Sequence, residues 1–256
     1  LKGEDSMVEG WRLLCAIGMQ SEGVDILFDD YCLLYPYSPM IPRLRYEYAL
    51  LLFDRRDYEG AGKLFSYIDV KDVSRRQRPE FLYKRAWCDF AVGNESRAAE
   101  RFEEVAGLKS PAYSGAACFT LGYINYDNGR FDEALRWFGK ANDKRFADLS
   151  AYYRLDCHFQ LKDYEYVVAN GDELLPKFQD ERAKHVARLL SESCLVLGKA
   201  DRAKAIYDGL LAESPDTSRS GLFFTASLLY AVQDWQGARD KYMAMGDRSD
   251  SLGQIA

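Results

Sequence analysis

The chain has 256 residues, of which 48% are hydrophobic and 14% aromatic, so it holds enough apolar side chains for a substantial core. Its net charge is −6, which argues against a general phosphate-binding surface because such a surface needs clustered Lys and Arg. We therefore expect no nucleic-acid partner. We also expect no direct membrane insertion, because the sequence has no run of about eighteen apolar residues.

Along the chain, a small residue is followed four positions later by a large ring at intervals of about 36 residues. The pairs are Ala61 and Phe65, Ala98 and Phe102, Ala134 and Phe138, Ala203 and Tyr207, and Ala238 and Tyr242. This period is typical of a helical solenoid, in which one helix-turn-helix unit is stacked repeatedly. We predict seven units, starting near residues 4, 42, 79, 115, 148, 184 and 219.

The first predicted unit departs from the pattern, because Trp11 occupies the position where the first helix of a unit needs a small residue. A terminal unit is expected to be atypical, since one of its faces has no neighbouring repeat. The second and third units, which begin near residues 42 and 79, follow the pattern.

The fourth unit, residues 115–145, is the clearest. Gly122, Gly129, Ala134 and Phe138 stand at the spacing of the tetratricopeptide repeat. Glycine adopts the left-handed conformation without steric penalty, so we expect Gly129 to end the first helix of this unit. The chain thus resembles tetratricopeptide repeat proteins. The resemblance implies an all-α, right-handed α-solenoid of about seven repeats, forming a single array over residues 1–256.

The fifth unit departs again, with Leu155 at the small position and Val167 and Gly171 in place of an alanine and a ring. The sixth and seventh units return to the pattern. Residues 247–256 are predicted to form the start of a further repeat or a tail, and we expect natural repeats to continue beyond Ala256. An unfinished unit would leave Trp235, Tyr242 and Met245 partly uncovered, and would permit self-association through the C-terminal edge.

The sequence also resembles a group of long, envelope-associated tetratricopeptide repeat proteins of Bacteroidetes. The similar phrases are FDRRDYEGAGKLFSYID, AYYRLDCHFQLKDYEYVV and GDELL. This resemblance covers nearly the whole chain and implies a periplasmic or envelope-associated location. The alternative is a cytoplasmic location, which suits unpaired cysteines better because exposed thiols oxidise in the periplasm.

The sequence offers no clear chemistry. The six cysteines form no C-x-x-C pair, and five of them fall in predicted first helices, so we expect mostly buried thiols rather than disulfides or metal ligands. Cys157 and His158 are adjacent, but neighbouring residues on a helix point about 100° apart and do not face each other. We therefore predict that the chain is not an enzyme and needs no cofactor or metal.

The resemblance implies that first helices line a concave groove, and the lining positions of the middle units hold aromatic side chains. We expect partner-binding residues at Tyr46, Tyr83, Trp87, Phe119, Tyr123, Tyr126 and Tyr152. Such rings supply contact area at low entropic cost, so the predicted function is a scaffold that binds a protein or peptide. Alternatively, the rings simply pack between neighbouring first helices.

Two other functions remain open at this stage. Aromatic platforms beside acids also stack on sugars, so a carbohydrate-binding or peptidoglycan-binding module is one alternative. That alternative predicts hydrogen-bonding groups next to exposed rings, such as Asp127 beside Tyr126 and Asp156 near Tyr152. The other alternative is an accessory segment of a larger enzyme.

Overall fold

A computed structural model describes residues 2–211 and 217–246. In these ranges the chain forms fourteen α-helices and no strand. The first helices of the successive pairs are α1 Lys2–Gly18, α3 Ile41–Asp54, α5 Arg78–Ala91, α7 Ser114–Asp127, α9 Ala147–Gln160, α11 Glu181–Val196 and α13 Arg219–Ala231. The second helices are α2 Val24–Leu34, α4 Tyr58–Ser66, α6 Glu95–Gly107, α8 Phe131–Lys140, α10 Tyr164–Leu174, α12 Ala200–Ile206 and α14 Trp235–Ala244. A π-helical turn, Tyr207–Leu211, follows α12 directly.

Each first helix begins within three residues of a predicted repeat start. The chain divides into two compact units, the first ending at Ile124 and the second beginning at Asn125, within α7. The prediction that all repeats form a single array stays a prediction, and the predicted start of a further repeat at residues 247–256 lies outside the described ranges. No helix in those ranges is both long and apolar enough to cross a bilayer.

The small residues predicted at the helix crossings are all buried. Ala61, Ala98, Ala134 and Ala203 are fully buried, and Ala238 is 2% exposed. The crossing of α11 and α12 is so close that the Ser191 hydroxyl donates a hydrogen bond of 2.8 Å to the Ala203 carbonyl. The close contact of two helix backbones explains why each crossing carries a small side chain.

The turn after each first helix contains one residue in the left-handed conformation. Gly129 has φ +70°, as the sequence predicted. The corresponding residues of the other six pairs also have positive φ: Gln20, Arg56, Gly93, Lys162, Gly198 and Gln233. The same backbone turn therefore recurs seven times in the described ranges, including at four positions with long polar side chains where the sequence shows no glycine.

In the first repeat, the structure moves the predicted small position by one residue. Gly10, not Trp11, occupies the small position of α1, since a Cβ at Gly10 would lie 2.8 Å from the Tyr31 hydroxyl and 3.0 Å from Met40 Cγ. Trp11 is 46% exposed, and the Arg43 guanidinium lies 4.7 Å from its ring centroid. The Tyr31 hydroxyl donates to the Ser6 carbonyl at 2.8 Å and so joins α2 to α1.

The departure in the fifth unit has a packing cause. Gly171 on α10 faces Leu190 of α11, and a Cβ at Gly171 would lie 2.9 Å from Leu190 Cδ1. Leu190 is fully buried. It therefore occupies the volume that a ring fills in the other units, and the glycine provides the room for it.

At the end of the described chain, the expectation that Trp235, Tyr242 and Met245 are all partly uncovered is wrong for Met245. Trp235 is 56% exposed and Tyr242 is half-buried, but Met245 is only 6% exposed. The Met245 carbonyl accepts a 2.6 Å hydrogen bond from Arg219 Nη1. This contact fixes the end of α14 against the start of α13, which covers Met245.

Candidate functional site

In the compact unit of residues 1–124, four aromatic side chains form a continuous row along α5 and α7. Tyr83, Trp87 and Phe90 follow one another on α5, with ring centroids 6.2 Å and 5.7 Å apart. Phe90 then meets the edge of Tyr123 on α7 at 6.3 Å. All four are half-buried. Each ring therefore packs on its neighbour and also presents part of its surface to solvent.

Two other predicted site residues in the compact unit of residues 1–124, Phe119 and Tyr46, differ in burial. Phe119 is half-buried. Tyr46 is only 6% exposed, and its ring lies 6.5 Å from Phe65 and 6.3 Å from Phe81 by centroid distance. The structure therefore offers little of the Tyr46 ring to a partner. Burial, followed by the nearby charge of Glu80, raises the pKa of its phenol well above the ordinary value of 10.

In the compact unit that begins at Asn125, a buried carboxylate lies between the two remaining predicted site residues, Tyr126 and Tyr152. Asp156 on α9 is 2% exposed. It accepts hydrogen bonds from the Tyr126 hydroxyl at 2.6 Å and from Gln160 Nε2 at 3.0 Å, and its other contact is His185 Nε2 at 3.0 Å. Tyr152 lies beside this group, with its ring centroid 5.6 Å from that of His185. We call Asp156, Tyr126, Gln160 and His185 the Asp156 network.

The ionisation of this network follows from its hydrogen bonds. Burial raises the pKa of the Asp156 carboxyl, but the bonds from His185, Tyr126 and Gln160 outweigh that effect and hold the pKa below its ordinary value. The two phenols respond in the opposite direction. Burial, aided by the bond to Asp156, raises the pKa of Tyr126, and burial with the Asp156 charge raises the pKa of Tyr152 to about 12. Asp156 is thus a buried anion that is hydrogen-bonded to one neutral phenol, Tyr126, and lies near a second, Tyr152.

A cavity of about 480 Å³ opens next to the Asp156 network. We call it the α11 cavity, because α11 supplies five of its lining residues. The lining consists of Tyr152, Glu181, Arg182, Lys184, His185, Arg188, Tyr207, Gly221, Phe224 and Thr225. Rings from α9, the π-helical turn and α13 therefore surround a row of cationic and hydrogen-bonding groups from α11.

The cationic side chains that line the α11 cavity form partly exposed ion pairs with acidic residues of this chain. Arg182 forms a two-pronged pair with Asp180, and Lys184 Nζ lies 2.9 Å from Glu181 Oε1. Arg188 is bound more loosely, with Nε 3.7 Å from Glu192 Oε1 and 41% of its side chain exposed. Exposed ion pairs of this kind contribute little to stability, so a bound anion can replace the acidic partner at little cost.

The geometry argues against a nucleophile at Cys157. This thiol is fully buried, and burial followed by the charge of Asp156 raises its pKa to about 12, so it stays protonated. His158 is engaged elsewhere, with Nδ1 2.9 Å from Asp163 Oδ2 and its ring stacked on Tyr166. Four of the six cysteines are buried, whereas Cys32 is half-buried and Cys15 is exposed.

The structure also bears on the sugar-binding alternative. That alternative needs acids that are free to bind hydroxyl groups beside the rings. Asp156 is buried and its carboxylate is already bound by three groups, so it is not available to a sugar. Asp127 is exposed.

Sequence reasoning missed the contribution of α11. Arg182, His185 and Arg188 recur at every third position, which places them on one face of the helix. The predicted partner-binding residues are all aromatic, so they do not include these basic residues of α11. No sequence signal indicates the contact of His185 with Asp156, because the two residues are 29 apart and belong to different repeats.

No protein-family model matches the sequence, and no curated protein is similar to it in sequence. A solved structure does share its fold. A tetratricopeptide repeat protein from Parabacteroides merdae superposes with a TM-score of 0.51 at 12% identity, covering 99% of this chain and 97% of that one. PilF of Pseudomonas aeruginosa and the tetratricopeptide repeat domain of P58(IPK) give TM-scores of 0.43 and 0.40, at 12% and 15% identity. These cover 99% and 98% of this chain, and 97% and 76% of the other chains.

The chain therefore has the tetratricopeptide repeat fold, an α-solenoid of helix-turn-helix units. The predicted fold class is confirmed by the helix pairs and by the likeness to the Parabacteroides protein over nearly the whole chain.

Proposed function

We propose that this chain is a protein-interaction scaffold, and that the α11 cavity binds a peptide segment of a protein partner. The observation that carries the proposal is the cavity itself, in which three rings from separate elements surround the donors of α11. Binding sites for peptides and small ligands combine apolar walls with a few polar groups that fix orientation. Here Tyr152, Tyr207 and Phe224 supply the walls.

The polar groups favour a peptide that presents a carbonyl or a carboxylate to α11. Arg188 has the loosest intrachain pair of the cavity cations, and its guanidinium has donors to spare. His185 is held in place by Asp156, which fixes the orientation of its ring toward the cavity wall. In the compact unit of residues 1–124, the row formed by Tyr83, Trp87, Phe90 and Tyr123, together with Phe119, is proposed as a further contact surface.

A peptide library displayed on phage, selected on the purified chain, tests this proposal. The affinity of a selected peptide is then measured by fluorescence anisotropy for the parent chain, for Arg188→Ala and for the control Arg202→Ala. Arg202 is a good control because its side chain is 37% exposed and paired with Asp172, but it does not line the α11 cavity.

We expect Arg188→Ala to weaken the selected peptide about tenfold, since one charge-assisted contact is lost, while Arg202→Ala changes the affinity less than about twofold. Equal effects of the two substitutions would show that the peptide binds elsewhere. A selection that yields no peptide at all would refute a peptide-binding cavity.

We further propose, from the resemblance to envelope proteins of Bacteroidetes, that the scaffold acts in the cell envelope and has no catalytic activity of its own. Fractionation of the native cell with an antibody against the chain tests the location. Recovery in the cytosolic fraction would contradict it and favour the cytoplasmic alternative.

A further inference from the structure

The negative charge of the protein is concentrated in its first helix pair. Residues 5–40 contain six acidic residues and one basic residue, Arg12, and so carry −5 of the net charge of −6. The rest of the chain is nearly neutral. Because charge clustered on one short segment creates a local field, this segment favours a cationic partner and repels another acidic one.

The same segment also exposes large apolar side chains. On α2, Leu27 is 49% exposed and Leu34 is 69% exposed. Both lie over a groove of about 540 Å³ between α1 and α2, whose floor includes Leu13 and Ala16. We call this the α1–α2 groove. Exposed apolar side chains gathered along a groove are typical of an interaction site.

Acidic groups border the apolar floor. Glu9 and Asp30 both line the α1–α2 groove. Among the described residues that line the groove, Arg12 is the one cation, and it is paired with Glu9 at 2.5 Å. Asp30 has no ion pair among the described residues, so its carboxylate is available to a cation brought by a partner.

The shape and spacing indicate a helix as the occupant. Leu27 and Leu34 are seven residues apart on one side of α2, as in the seam between two packed helices. In a solenoid, a groove between paired helices is the surface onto which a further helix packs. From this spacing and from the surrounding charge, we propose that the α1–α2 groove binds a basic amphipathic helix of a protein partner.

In this complex, the apolar face of the partner helix lies on Leu27 and Leu34, and its Lys or Arg side chains reach Asp30 and Glu9. A second copy of this chain fits the groove poorly. If the α1–α2 pairs of two copies faced each other, two segments of charge −5 would come together, and such like charges oppose association. This surface is separate from the α11 cavity and does not depend on the function proposed for it.

A designed peptide tests the proposal. The probe is a fluorescein-labelled helix of about eighteen residues, with leucines at heptad spacing and lysines elsewhere, and the comparison probe carries glutamate in place of each lysine. Anisotropy of the intact chain gives both affinities. We expect the lysine probe to bind at least about tenfold more tightly than the glutamate probe, because only the lysine probe complements the acidic border.

Two pairs of substitutions on α2 locate the site. Leu27→Ser combined with Leu34→Ser removes the apolar side of the groove. The matched control is Ile26→Ser combined with Leu33→Ser, which changes two side chains that are 63% and 79% exposed on the same helix but lie outside the groove. We expect the groove pair to weaken the lysine probe about tenfold and the control pair less than about twofold.

A similar comparison tests the charge. Asp30→Asn should weaken the lysine probe about threefold, and the control Asp29→Asn should have a smaller effect, because Asp29 is an exposed neighbour that does not line the groove. All of these side chains are exposed. Far-UV circular dichroism of each variant checks that the helices are retained.

Several outcomes would overturn the proposal. Equal losses for the groove pair and the control pair, or equal affinities of the two probes, would mean that the groove does not select a basic helix. A dimer detected by sedimentation velocity that dissociates in the Leu27→Ser, Leu34→Ser variant would assign the groove to a second copy instead. Arg188→Ala should leave the lysine probe unaffected, so failure here is distinguishable from failure of the peptide-binding proposal.

Discussion

Replacing Ala203 with leucine tests the helix crossings on which the fold rests. Ala203 is fully buried where α12 crosses α11, and its carbonyl accepts the hydrogen bond from Ser191. Leucine adds three carbon atoms at a point where two helix backbones are already in contact. The helices must separate or the new side chain must take a strained rotamer, and either response weakens the Ser191 bond.

The expected magnitude follows from this geometry. Inserting extra carbon atoms into a packed core costs about 1–3 kcal/mol in the free energy of unfolding. In a protein of this size, each kcal/mol lowers the melting temperature by about 2–4 °C. We therefore expect the melting temperature of Ala203→Leu to fall by about 2–12 °C.

Thermal unfolding followed by far-UV circular dichroism measures this change. The control is Ala205→Leu, on the same helix and exposed to solvent, which should alter the free energy of unfolding by less than about 0.5 kcal/mol. If Ala203→Leu melts at the temperature of the parent or of Ala205→Leu, the assigned helix crossing is wrong.

Two further predictions concern ionisation and thiol access. Asp156→Asn should lower the free energy of unfolding by about 1.5–3 kcal/mol at neutral pH, because it weakens hydrogen bonds to a buried charge. The pKa of Asp156 is depressed in the folded state, so its contribution is complete above the ordinary value of 3.8 and is lost as the pH falls below it. Parent and variant should therefore converge in urea titrations at acidic pH, and a constant difference across the range would contradict this assignment. In a thiol titration of the folded chain, Cys15 should react first and Cys32 more slowly, and denaturation should expose all six. A native mass reduced by two hydrogens for each cysteine pair would show disulfides instead.

The repeat pattern could be predicted from sequence because each crossing depends on a local requirement. A buried position between two helices accepts only a small side chain, so Ala134 and Ala203 reveal the register directly. The first unit was misregistered by one residue because two adjacent residues, Gly10 and Trp11, compete for the position. The structure resolves the choice, because a Cβ at Gly10 would lie 2.8 Å from the Tyr31 hydroxyl whereas Trp11 is 46% exposed.

The binding surface was harder to predict because exposure depends on neighbours from other repeats. Tyr46 occupies a lining position by spacing, yet Phe65 and Phe81 enclose it. The opposite error applies to His185, which has no aromatic neighbours in sequence but contacts Asp156 of the preceding repeat. The acidic first helix pair, in contrast, could have been found by counting charge for each repeat separately.

The central claim, that the α11 cavity binds a protein partner, is tested most directly by site-specific photo-crosslinking in the native cell. A photoreactive amino acid replaces Lys184, which lines the cavity, and in a control strain it replaces Lys204, a partly exposed lysine of α12 outside the cavity. We predict a discrete protein adduct from position 184 that is absent from position 204. Irradiation that yields no adduct at position 184, or the same adduct at both positions, would contradict the claim.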